Sequence, residues 1–436
     1  MTGPNRSEPT VGPIGWLIAT CARHRGLTLL TVLAVVAWGV VSLRQTPLDA
    51  IPDLSDVQVI VFTEWPGQSP DRVEDQITYP ISSRLLAAPE IRFVRGQSFF
   101  GLSFVYAIFD DGTDLYWARS RVLEYLAGVQ GELPQDVTPV LGPDATGVGW
   151  IFEYALVDRS GNLDLSELRS LQDWNLRYAL ESVPGVAEVA SVGGFVRQYQ
   201  IQVDPNALLA LEIPMQEVVR AVRESNEESG GRTLEFAGHE YAIRGRGYVE
   251  TLDDLRNIPL RVTDNGVPIR IEDVAVVAFG PDMRRGLVEL DGEGETVGGI
   301  VVMRYGENAL GVIDAVKARL AEIEAGLPEG VEVVVTYDRS ELIEGAIDTL
   351  RRTLVEEMAI VAFVIFVFLL HARSALIPIL IIPTGAVLAF IPMLQQGLTA
   401  SIMSLGGIAI AIGAMVDASI ILVENIHKRL EEWERE

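Results

Sequence analysis

The sequence predicts a membrane protein: an α-helical transmembrane bundle of four spans carrying a large external α+β region of split βαβ units. Three observations carry this prediction. Uncharged runs of spanning length lie toward both ends of the chain, at residues 26–43 and 374–416. The residues between them alternate strand-like and helix-like hydrophobic periods. The order of those elements recurs, as an internal repeat does. At 436 residues, 49% of them hydrophobic, the chain is long enough for several domains and too apolar to be disordered.

The N-terminal segment, residues 1–25, contains GPIGWLIATCARH, which is too short to span. It sets Trp16, Leu17 and Ile18 ahead of a basic cluster, the pattern of an interfacial amphipathic helix. The first span follows at 26–44, bracketed by Arg25 and Arg44. Its apolar part is too long for a cleaved signal peptide, and no small-residue cleavage site follows before LRQTPLDAIPDL.

The external region starts with the strand VQVIVFTE. A helix follows, with Ser69 as cap, Pro70 at its first position and Asp71 in its first turn. A turn at Ala88–Pro89, the strands IRFVRG and LSFVYAIFDD, a turn at Gly112, the helix DLYWARSRVLEYLAGV and a short strand near VTPVLG complete one unit. The order then recurs as WIFEYALVD, the helix DLSELRSLQDWNLRYALESV, the strand VAEVAS, a turn at Gly193–Gly194, the strand QYQIQVD and a helix from Asn206. Two-layer, ferredoxin-like units explain both copies. The Gly-rich stretch SGGRTLEFAGHEYAIRGRGYV breaks the second unit and marks an inserted subdomain over about 195–275. The unit resumes with VGGIVVMRY, a helix and VEVVVTYD. Such an insertion serves contact with another chain or is an ordinary surface excursion, and the residues leave both open.

The remaining spans are expected at 353–371, 374–395 and 399–427, followed by a short end at 428–436. Arg23 and Arg25, His371 and Arg373, and Lys428 and Arg429 then flank the spans on one side, with Asp49, Asp53 and Asp56 on the other. The positive-inside rule therefore puts both termini in the cytoplasm and the α+β region outside.

The formal charge of −26 argues against a nucleic-acid partner. The single cysteine, Cys21, excludes an intrachain disulfide framework or thiolate cluster. Phosphate loops, zinc-type His/Cys spacings and catalytic triads are missing from the sequence, which disfavours an ATP-driven pump and leaves ion-gradient energy. The conspicuous residue is Asp417, inside IAIAIGAMVDASIILVENIHK. An ionised carboxylate at mid-span costs about 3 kcal/mol, so it must be neutral, paired or in a watery cavity. A moving cation beside it would make it load and release a proton. Glu424, seven residues on, returns to nearly the same helix face and is a relay partner or an interfacial carboxylate. Methionine is the soft ligand available, at Met358, Met393, Met403 and Met415 in the spans and Met215, Met283 and Met303 outside. It is also the ordinary gap-filler of apolar cores. Spacing does not single any out, since Met403 and Met415 fall about 120° apart on an ideal helix.

One N-terminal helix, repeated external βαβ units and clustered spans with an acid in the fourth together resemble the resistance-nodulation-division (RND) exporters. IMSLGGIAIAIGAMVDASIILVENIHKRLEEW resembles the fourth-span signature of the heavy-metal branch, the CusA/CzcA family. GPDATGVGWIFEYALVDRSG, RSLQDWNLRYAL, EVASVGG and GPDMRRGLVELDGEGE resemble that branch too, so the likeness covers essentially the whole chain. It implies a metal cation:proton antiporter rather than an enzyme, with Asp417 as proton relay and Glu424 as its possible partner. Divalent exporters of the CzcA type carry a further aspartate at the position of Ala411. Its absence favours the CusA-like class, in which methionines pass Cu(I) or Ag(I) upward. The matching positions are Met283, Met403 and Met415, while another falls at Leu422.

The resemblance further implies the bacterial inner membrane, periplasmic porter subdomains at 45–140 and 141–340, and a docking role for the insertion. It implies a homotrimer with a periplasmic membrane-fusion adaptor and an outer-membrane channel, and no resident cofactor. The chain stops at HKRLEEWERE, about halfway along such exporters, so the expectation is an N-terminal half. The lysine partner of Asp417 and the periplasmic methionine cluster would belong to the missing C-terminal half. The competing readings are a divalent Zn/Co/Cd exporter and a truncated half-transporter or membrane scaffold, inactive alone.

Overall fold

The computed structural model describes residues 12–435 except 136, 264, 285, 370 and 371. Residues 1–11 of the N-terminal segment, His371 of the basic flank and Glu436 therefore lie outside the described residues. Helix α1 (Pro13–Arg23) starts on a proline, whose missing N–H is no loss in a first turn. It exposes Trp16, Leu17 and Ile18. The non-helical His24 (φ −110, ψ 54) separates it from α2 (Arg25–Gln45).

The first sheet is built from β1 (Gln58–Glu64), β2 (Ile91–Phe99), β3 (Leu102–Phe109) and β4 (Val140–Leu141), in the order β2-β3-β1-β4. Its pairings are antiparallel, as a split βαβ unit requires. The helix after β1 runs as α3 (Pro70–Val73), a π-turn (Glu74–Thr78) and α4 (Tyr79–Leu85). The π-turn falls just ahead of Pro80, which has no N–H to give the helix. Helix α5 (Leu115–Val129) is capped by Asp114, which accepts from the Trp117 amide at 2.7 Å. Alternate strand residues Val59, Val61, Val105 and Ala107 pack with Ile77, Ile81, Ala118 and Val122 in one core.

The second unit begins with β5 (Trp150–Asp158), α6 (Leu165–Leu171), a π-turn (Gln172–Leu176), α7 (Arg177–Glu181) and β6 (Val186–Gly193). Gly193 and Gly194 then take positive φ, 73° and 57°, and the chain leaves the sheet. The excursion holds β7 (Arg197–Val203), α8 (Pro205–Ala210), α9 (Met215–Glu224), β8 (Ser229–Phe236), β9 (His239–Gly245), α10 (Leu252–Arg256), β10 (Pro259–Val262), β11 (Pro268–Arg270) and β12 (Ala275–Pro281). The unit closes with β13 (Val297–Met303), α11 (Ala309–Glu324) and β14 (Val331–Asp338), giving the sheet order β14-β5-β13-β6. This is the first sheet's arrangement with an insertion between its second and third strands.

One sequence expectation is corrected here. QYQIQVD is not the third strand of the repeat: it is β7, which pairs with β12 in a separate ribbon. The third strand is β13, between β5 and β6. Burial decides it, because six of the seven β13 residues are buried, as a central strand needs, whereas β7 is exposed or half-buried throughout.

Strand β14 leads without a break into α12 (Arg339–Leu369), followed by α13 (Ala372–Gln395) and α14 (Ile402–Arg435). The first half of α12 is strongly charged, so this helix begins well ahead of the apolar stretch that alone marks it in the sequence. By length and composition, two helices of the described residues are able to cross a membrane, Arg25–Gln45 and Ile402–Trp433, and Ile379–Gln395 is a shorter apolar segment. Val361, Ile382, Phe390, Leu405, Ile408 and Ile412 form a common core of α12, α13 and α14. Helix α2 approaches α13 at Gly39, where a Cβ would lie 2.8 Å from Val387 Cγ1.

Candidate functional site

Helix α14 has two opposite faces. Leu405, Ile408, Ile412, Val416, Ser419 and Val423 are buried against the neighbouring helices. Met403, Gly407, Ile410, Ala414, Asp417, Ile421 and Glu424 are exposed and follow one another at alternating steps of four and three residues. That spacing is the stripe one helix presents to another. Asp417 lies well inside it, and Glu424 is on the same stripe, where the seven-residue spacing puts it. Among the described residues Asp417 has no ion-pair partner. Gly407 and Ala414 leave the stripe shallow, which suits close approach of another helix.

The three candidate methionines are not brought together. Met403 is 71% exposed at the start of the stripe. It borders a cavity of about 520 Å³ between the start of α14, residues 49–54 and the turn before α11. Met415 turns to the other side and packs into the helix core, where a Cβ on Gly385 would meet its Sδ at 2.5 Å. Met283 is 59% exposed in the segment after β12, outside the helix bundle. The cavity also contains Met303, Asp53 and Glu307. Met303, one of the three external methionines, was not distinguished from the other two in the sequence because β13 is buried on both faces, so alternation cannot show which residue borders open space.

A second feature escaped sequence reading. Arg339 Nη1 donates to Asp49 Oδ1 at 3.3 Å, in an ion pair whose side chains are 5% and 9% exposed. Its partners are 290 residues apart, and neither stands in a distinctive local pattern.

The chain thus combines two split βαβ sheets, a strand running straight into a helix bundle and, on an apolar helix of spanning length, a carboxylate with no ion-pair partner among the described residues. The chain matches the AcrB/AcrD/AcrF family over residues 17–436 and belongs to that family. It is 57% identical over 421 residues to the putative cation efflux system protein SilA of Salmonella typhimurium, covering 97% of this chain and 40% of that protein. It is 56% identical over 423 residues to the cation efflux system protein CusA of Escherichia coli (strain K12), with the same coverage. The cobalt-zinc-cadmium resistance protein CzcA of Cupriavidus metallidurans is 37% identical over 421 residues, covering 95% of this chain and 39% of that protein. A crystal structure of a heavy metal efflux pump superposes with a TM-score of 0.84 at 34% identity, over 95% of this chain and 41% of that one. The chain thus spans about 40% of the length of these relatives.

Proposed function

We propose that this chain forms the first half of a proton-driven exporter of Cu(I) and Ag(I) in the bacterial inner membrane. The carrying observation is Asp417, a carboxylate exposed on the stripe of an apolar, span-length helix. Facing lipid it would cost several kcal/mol, so the stripe is fitted to meet protein, and the second bundle of the exporter is the surface it meets. There Asp417 takes up a proton when its cationic partner withdraws and gives it up when the partner returns. Glu424 lies one heptad nearer the cytoplasm on the same path. In this reading α2, α12, α13 and α14 are the four spans, and both sheets stand in the periplasm.

The cargo follows from donor chemistry. Met283 and Met403 offer accessible thioethers, which favour soft monovalent ions over hard divalent ones. Met415, half-buried against the helix core, takes part when the helices shift apart. Ala411 stands where a divalent exporter would add a carboxylate, and identity is higher to CusA and SilA than to CzcA. The assembly is a homotrimer working with a periplasmic adaptor and an outer-membrane channel. Support for the trimer comes from the hairpin β8–β9, whose residues are exposed on both faces. A lone two-stranded hairpin is marginal in water, so a neighbouring copy is its natural cover.

Transport by the complete protein in proteoliposomes, with an imposed proton gradient, tests the cargo. Silver and cuprous ions are expected to move and to draw protons in the opposite direction. Movement of zinc, cobalt or cadmium without silver would overturn the assignment.

A further inference from the structure

We propose that Asp49 and Arg339 are positioning residues that clamp the start of α14 to the second sheet, so that movement of the Asp417 helix is passed to the sheet. The proposal rests on the proton-relay reading of Asp417. Four parts of the chain meet at this point: the strap after α2, the start of α14, the start of α11 and the junction of β14 with α12. Leu48 and Ala400 form a parallel bridge. The Ala400 amide donates to Pro47 O at 2.9 Å, the Asp49 amide to Ala400 O at 3.3 Å and the Ile402 amide to Ala50 O at 3.2 Å. From the other side the Ala309 amide donates to Leu48 O at 3.2 Å. Ala50 is buried in the core of the second sheet, and Leu48 packs against both that core and the helix-bundle core.

The ion pair lies across this strap. Asp49 Oδ1 accepts from its neighbour Ala50's amide at 2.6 Å and from Arg339, while Arg339 also donates to Trp150 O in β5. A guanidinium fork with acceptors on two elements fixes their relative orientation as an ammonium would not. Because both charges are desolvated, separating them would leave each buried without its counter-ion, so the strap resists opening. The turn before α14 differs: residues 395–398 are exposed and Gly397 takes a φ of 69°. Bending belongs in that turn, and the clamp sits beyond it, on the first residues of α14.

The test uses the complete transporter in proteoliposomes with silver as probe. Asp49→Asn keeps the shape and the acceptor for the Ala50 amide but removes the charge. Its turnover at saturating silver is expected to fall on the order of tenfold with KM unchanged, the mark of a step after binding. Hydrogen exchange at the Ala400, Ile402 and Ala309 amides is expected to quicken together. Turnover within about twofold of wild type, or unchanged protection of those amides, overturns the clamp. Should Asp49→Asn fail to assemble, Leu48→Cys/Ala400→Cys in a Cys21→Ser background decides. A disulfide there is expected to leave transport intact, whereas loss of transport restored by reductant means that the strap must open and the clamp is wrong. If wild-type protein moves no silver, the antiporter reading fails, and exchange at the three amides alone judges the clamp.

Discussion

Glu188, half-buried on strand β6, has its carboxyl pushed upward by loss of solvent, partly offset by Arg177 and reinforced by Glu181. A carboxyl raised in the folded state favours the protonated form, so its contribution is present at low pH and is lost as pH rises through the carboxylate range. Glu188→Gln removes that loss. Thermal unfolding is expected to show the variant more stable than wild type near pH 8, with the gap closing near pH 4; an equal gap at both would exclude titration as the cause. At this scale Asp417 was legible because a carboxylate violates the hydropathy of its surroundings. Methionine violates nothing, so the sequence could not separate the exposed Met403 from the inward Met415 except by the angle between them. Asp49 and Arg339 meet only once the α+β region has folded between them.

Among the elements, the β8–β9 hairpin carries Leu234, Phe236, Tyr241 and Ile243, all more than half exposed. If a neighbouring copy covers them, Phe236→Asp with Tyr241→Lys is expected to leave each protomer folded and to break the trimer into protomers. Native mass spectrometry in detergent reads this directly, and an undiminished trimer would exclude the hairpin as the main contact. The strands and helices of both units were visible in the sequence, through period and turn residues. The identity of the third strand in the second unit was not, since pairing across a long insertion leaves no local mark, and a nearer strand-like run took its place. Helix α12 shows the complementary gap: hydropathy sees only its apolar half, while its charged first half continues strand β14 into the bundle.

Taken whole, the described residues hold two four-stranded sheets of one design, the second joined through β14 to a helix bundle, with an open stripe on its last helix. The two-sheet plan was legible because the element order repeats, whereas of the stripe only the shared face of Asp417 and Glu424 was. Which surface closes the stripe was not legible, since among the described residues no cation pairs with Asp417 and the sequence alone does not show what such a stripe meets. The account stands on Asp417 as the proton carrier, so its direct test is Asp417→Asn in the complete transporter, reconstituted and supplied with silver under a proton gradient. The expected result is an intact trimer that still binds silver but moves neither silver nor protons. Silver-coupled proton flux at the wild-type rate in that variant would contradict it.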